Sequence, residues 1–226
     1  MATSNSTDFE LDVSDYIEEA FERCGLEVRT GYDLKTAKRS LNLMFAEWAN
    51  RGLNLWTIEQ NTVALTQGTN TYTLDTDTVD VLNAVIRSNA GLSSQSDIMI
   101  DRIGRDEFLN IPSKLTQGRP TQWYVDRTVT PSLSVWPTPD QSYSFVFDRL
   151  TRIQDADTFT NTAEVPFRFY PCLAAGLAYY LAIKRAPERA ELLKSMYEEE
   201  FTRAAYEDVD RANLSLVPRR DYYGFG

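Results

Sequence analysis

Residues Pro171–Pro187 read PCLAAGLAYYLAIKRAP. From Leu173 to Ile183 the chain is apolar almost all round, so a helix here has no face to offer to water. The uncharged run Phe169–Ile183 is too short to span a bilayer and begins beside Pro171, so other parts of the same fold must bury it. Ala174, Ala175, Gly176, Ala178 and Ala182 leave room for close helix contact, while Lys184 and Arg185 complement the dipole at the carboxyl end. Pro166 suits a first helical position, and Pro171 is expected to kink the start.

The neighbours of this stretch are helical too. Pro187 opens a last helix to about Arg211, with Ala190, Leu193, Met196, Tyr197, Phe201 and Ala204 on one face and Glu188, Glu191, Glu198 and Glu199 opposite. At the other end, Val13, Tyr16, Ile17, Ala20, Phe21 and Cys24 recur at three- and four-residue steps, predicting a helix near Ser14–Cys24 that stops at Gly25. A second helix is expected over Gly31–Arg51. Thr30 and Asp33 have capping-box spacing, and Leu34, Ala37, Leu41, Met44, Phe45 and Trp48 form its stripe. Neither terminal pair has another core, so the two pairs must pack on each other.

Between them, Thr57 to about Arg152 changes texture to short alternating runs rich in Thr, Ser, Asn and Asp. Tyr143, Phe145 and Phe147 alternate with Ser142, Ser144, Val146 and Asp148, which fits a half-buried strand. Tyr72–Leu74, Val81–Ile86, Ile98–Ile100, Trp123–Val125 and Leu133–Val135 are further strand candidates. Gln67–Asn70, Asn89–Ser94 and Pro137–Gln141 read as turns, and Asp106–Asn110 as one helical turn. The expected fold class is therefore α+β. The N- and C-terminal helices (1–56 and 164–212) form an antiparallel helical bundle, a small antiparallel β lobe (57–153) is inserted, and an extended C-terminal arm (213–226) follows.

That arm, NLSLVPRRDYYGFG, has no helical period, yet it carries Leu214, Leu216, Val217, Tyr222, Tyr223 and Phe225 where chain ends are normally polar. Such a tail either docks on its own domain or is buried against another molecule. Net charge is −10. Residues 1–30 hold eight acids against two bases, and 188–212 hold eight against four. Gripping nucleic acid by its phosphates needs a basic stripe, and none is visible. Cys24 and Cys172 have no metal-ligand spacing and read as small buried apolar side chains of a reducing compartment. No secretory signal is seen, so a soluble protein made in a cytoplasm is expected.

Catalytic equipment is also missing from the pattern. The chain has no histidine, which removes Ser–His and Cys–His nucleophile pairs and the commonest metal ligand and general acid–base. Nucleotide-cradling glycine loops are absent, so no cofactor is expected. Asp75/Asp77 and Asp106/Glu107 are the carboxylate pairs that a search for a cell-wall glycosidase would produce, but turns and a helix start account for them. Glu198–Glu200 reads as a solvated face. Trp48, Trp56, Trp123 and Trp136 read as core or interface. No enzyme is expected.

Three segments resemble a known family. KTAKRSLNLMFAEWANRGLNLWTIEQ, Lys35–Gln60, is similar to the second helix and first strand of the head-to-tail adaptor of short-tailed bacteriophages, with its NRG-x-NLW turn. VPFRFYPCLAAGLAYYLAIKRAPERAELL, Val165–Leu193, resembles that family's Pro-initiated, Ala-rich helix and APER link. FELDVSDYIEEAFERCGLE, Phe9–Glu27, fits its opening helix. The resemblance implies a structural virion protein of the tail or neck. It would form a ring of twelve copies under the portal after genome packaging, help retain the DNA, and receive a nozzle or tail tube protein. Double-stranded DNA would only pass through the lumen, whose acids repel phosphate, and no membrane is involved. The portal contact implied for the arm falls on Leu214, Leu216, Val217, Arg219, Arg220, Tyr222, Tyr223 and Phe225. The tail-facing loops would be those of Asn89, Gly91 and Gln95 and of Gln117 and Arg119. Another tail-tube or head-completion ring subunit is the alternative, and a carboxylate-dependent glycosidase a more distant one.

Overall fold

A computed structural model describes residues 5–6, 9–52 and 55–208. Helix α1 (Val13–Arg23) and helix α2 (Gly31–Arg51) each begin with a reciprocal capping box. Asp12 accepts the Asp15 N–H at 2.9 Å while Asp15 accepts the Asp12 N–H at 3.2 Å. Thr30 and Asp33 do the same at 3.3 and 3.1 Å. Two otherwise orphaned donors are satisfied at each start. Gly25 closes α1 with φ +72°, and the side chains predicted for both stripes are buried apart from a half-buried Leu34.

The apolar stretch that opened the sequence reading forms helix α4 (Tyr170–Arg185), and helix α5 (Ala190–Glu207) follows it after a 3₁₀ turn at Pro187–Arg189. Helix α4 starts later than Pro166 suggests. Pro166 caps a 3₁₀ turn over Phe167–Phe169, and Pro171 lies in the first turn of the α-helix, where no N–H is needed. Residues of α1, α2, α4 and α5 share one hydrophobic core. Met196 is a correction: it is 43% exposed, because the buried face of α5 narrows to Leu193, Tyr197 and Ala204 with Ala190 and Phe201 at its margin. Residue 176 must be glycine for a spatial reason. A Cβ there would collide with Met44 Sδ and come within 2.8 Å of Tyr197 Cε2.

The middle of the chain holds two four-stranded sheets around a second core. The first contains β1 (Ile58–Leu65), β3 (Thr78–Ser88), β4 (Ser96–Met99) and β10 (Tyr143–Thr151) in the order β1-β10-β3-β4. The second contains β2 (Thr71–Thr73), β5 (Asp101–Arg102), β7 (Gln122–Asp126) and β8 (Ser132–Trp136) in the order β2-β8-β7-β5. Trp123 of one sheet meets Phe145 of the other edge to face at 6.1 Å. The expectation of a wholly antiparallel lobe is corrected. β5 pairs with β7 in parallel, as do two short strands, β6 (Gln117–Gly118) and β9 (Thr138–Pro139). The crossover containing α3 (Arg105–Asn110) supplies the length that a parallel connection requires. Strand β10 lies between β1 and β3, so Val146 and Arg149 are buried as well as the predicted Tyr143, Phe145 and Phe147.

Candidate functional site

The arm residues Leu214, Leu216, Val217, Arg219, Arg220, Tyr222, Tyr223 and Phe225 lie outside the described residues, as does the expected end of the last helix at Arg211. What the structure defines is the end of α5. Asp208 caps α5 by donating its N–H to the Ala204 and Ala205 carbonyls, at 3.1 and 3.2 Å. Its carboxylate is 3% exposed; one oxygen accepts from the Arg168 guanidinium and the other from the Leu55 N–H at 2.9 Å. Arg168 lies 6.0 Å from the centre of the Trp56 ring and 5.8 Å from that of Phe169, and those two rings are 4.5 Å apart. Three distant segments therefore hold the end of α5 in one place. Trp56 packs on the helical core, with its buried indole N–H unpartnered.

A polar clamp joins α2 to α5 one face away. The Trp48 indole N–H donates to the Tyr197 hydroxyl at 2.7 Å, and that hydroxyl donates to Glu47 at 2.7 Å. Arg51 binds Glu198 through two nitrogens, both at 2.7 Å, and also reaches Glu47. Glu198 is thus no plain solvated residue, which corrects the reading of that run. The two-pronged bond to Arg51 holds its carboxyl below the ordinary value of 4.5. Burial and then Glu47 push the Tyr197 phenol well above 10.0. The signs follow by linkage. Glu198 contributes stability that is complete above 4.5 and lost as pH falls through its lowered folded value. Tyr197 contributes stability that is lost as pH rises beyond 10. Glu198→Gln is expected to flatten the acid limb of a melting-temperature profile, at a cost of about 1 kcal/mol or less at neutral pH because the pair is half exposed. An unchanged acid limb would contradict the clamp.

The loops expected to face the tail lie at the end of the sheets remote from the helices. β1 runs from Ile58 opposite Leu150 to Leu65 opposite Tyr143, so the Tyr143 end is the far one. The β3–β4 hairpin projects there beyond the Arg87–Ser144 pair. Asn89 has φ +54° and Gly91 φ +78°; the Gly91 N–H donates to Gln95 Oε1 at 3.0 Å, leaving Leu92 63% exposed at the tip. Arg119 is at the same end, near Tyr143, whose phenol is raised by burial and by its bond to Asp140, with Arg119 only partly offsetting this. Gln117 differs from the expectation: it is in strand β6 rather than a free loop, because it pairs with Thr138.

Sequence reading missed one ion cluster, built on a buried arginine with three exposed carboxylates. Arg149 on β10, its side chain 10% exposed, donates to Asp75 at 3.0 Å, Asp77 at 2.8 Å and Glu59 at 3.1 Å. Asp75 and Asp77 are thereby engaged by one guanidinium nitrogen and do not stand as an acid–base pair. Glu107 caps the Gly104 N–H at 2.8 Å, as a helix start should. Both cysteines are free and buried, and burial raises both thiols. Among the described residues no group of His, Cys, Asp or Glu can hold a metal ion, and no helix is long and apolar enough to cross a membrane.

Against this geometry, the family model described as SU10 adaptor protein matches residues 8–220, which include every helix and strand of both cores. The chain belongs to the SU10 adaptor family. No curated protein matches it. An SU10 adaptor is a bacteriophage structural protein that joins other capsid or tail components, and it is a component of the virion. The match runs through most of the arm, stopping at Arg220 and leaving Asp221–Gly226 beyond it.

Proposed function

We propose that this SU10 adaptor is the head-to-tail connector of a short-tailed particle. About twelve copies form a ring beneath the portal after DNA packaging, help retain the genome, and present a platform to the nozzle or tail tube protein. The helical parts, 1–56 and 164–212, build the ring; the β part, 57–153, faces the tail; the arm, 213–226, contacts the portal. One observation carries this reading. The chain matches an adaptor family along nearly its whole length, and its last described residue, five positions before the apolar-aromatic arm, is fastened by Arg168 and the Leu55 N–H. A fixed root limits the volume the arm searches and raises its effective concentration at a neighbouring surface. The surplus of acids suits a lumen through which DNA slides without sticking.

Electron microscopy of DNA-filled heads or isolated portal mixed with the purified chain tests this. A collar added at one vertex is the expected image. Unaltered heads, with the protein assembling instead on a tail tube, would place it in another ring of the particle.

A further inference from the structure

A groove of about 560 Å³ runs between α1 and the first turn of α4. Its floor is apolar, formed by Leu11, Tyr170 and Pro171, with Phe9 at one end left 63% exposed. Its rim is acidic. Glu18 and Glu22 project from α1 without an ion pair among the described residues, and Glu19 is engaged by Arg23 at 2.7 Å. Such a groove suits a segment that combines arginines with aromatic side chains.

This chain contains one. Arg219-Arg220-Asp221-Tyr222-Tyr223-Gly224-Phe225 follows Asp208, whose carboxylate is bonded to Arg168, two residues before Tyr170 in the chain. Arg219 is eleven residues beyond Asp208, a reach of roughly 35 Å when extended. We infer that in the free subunit Arg219–Phe225 docks in its own α1–α4 groove, arginines against Glu18 and Glu22 and rings on Leu11, Tyr170 and Pro171, and that the portal displaces it. This rests on the portal-binding reading of the arm and adds its regulation. Charge complementarity and the length of chain after Asp208 favour this occupant. The docked segment keeps three aromatic rings out of water until a portal offers a better site, so free subunits do not associate through their arms. Release makes the same rings available, and the portal supplies the difference in binding free energy.

The test uses the full chain carrying Glu18→Cys with Tyr222→Cys; native Cys24 and Cys172 are 3% and 1% exposed and do not compete. Mild oxidation should give an intrachain disulfide in most of the protein, seen as a faster monomer band. Arg219→Glu with Arg220→Glu should reduce it several-fold, and adding Glu22→Arg should restore part of it. The oxidised, locked subunit should fail to bind isolated portal and recover on reduction. Disulfide-linked dimers in place of monomers would mean that the groove takes a neighbour's arm, and this overturns the inference. Absence of any cross-link overturns it too, as does cross-linking indifferent to the charge changes. Failure of the wider reading looks different: the arm-deleted chain would bind portal as well as the intact one, whatever the cysteines do.

Discussion

Removal of Asn213–Gly226 is expected to abolish binding to isolated portal while moving the melting temperature little. The helical core is assembled from side chains between Val13 and Ala204, and the carboxylate that fastens the end of α5 belongs to Asp208, so the truncation leaves both in place. What it removes is a set of two arginines, two tyrosines and a phenylalanine, of the kinds that dominate interface energetics. If two of those anchors contribute about 2 kcal/mol each, the loss is roughly a thousandfold in Kd. Titration of immobilised portal with intact and truncated chain reads this directly. Affinity within a few-fold of the intact chain would remove the arm from the portal interface.

The second large effect is expected at Gly176. Helix α4 touches α2 and α5 there so closely that even one methyl meets Met44 Sδ and the Tyr197 ring. Neither neighbour has a free direction in which to yield. Met44 is fully buried, and the Tyr197 hydroxyl is held by Trp48 and Glu47. Gly176→Val must therefore separate the helices or break that hydrogen-bonded chain. Overpacking of this sort costs about 3 kcal/mol or more in a close-packed core, a fall in melting temperature of around 10 °C for a chain of this size. Gly176→Ala should lie between the two. Thermal unfolding followed by circular dichroism decides it, and a valine variant as stable as the parent would mean that the contact relaxes freely.

Sequence alone carried the helices because their signal is local. A stripe at three- and four-residue spacing, a Thr30–Asp33 capping box and a Gly25 stop are each contained within a few turns. The β part was harder for a physical reason. β1, IEQNTVAL, is an edge strand in which only Leu65 is buried, so its alternation from Asn61 to Leu65 carries little apolar signal. β10 is flanked on both sides, so its alternation was real but understated how much lies inside. The Arg149 cluster draws its acids from Glu59, Asp75 and Asp77, and the anchor of α5 joins residues 55, 168 and 208. Partners that far apart leave no mark in a window of sequence. Family likeness, in contrast, was legible from the short motifs at Asn50–Trp56 and Ala186–Arg189, which are read as words rather than through a period. Of the candidate site, the distal hairpin was legible from its Asn and Gly turn residues, whereas the groove beside Tyr170 was not, because it exists only where two helices meet.

The two hydrophobic cores share no buried side chain, and this bears on how such a protein diverges. A substitution among Leu65, Trp123 and Phe145 needs no compensating change among Trp48, Gly176 and Tyr197. Lineages can thus rewrite the hairpin beyond Arg87 without disturbing the helical core. Horizontal exchange that swaps the middle of the gene between Thr57 and Arg152 should yield working hybrids more often than exchange with a breakpoint inside either core.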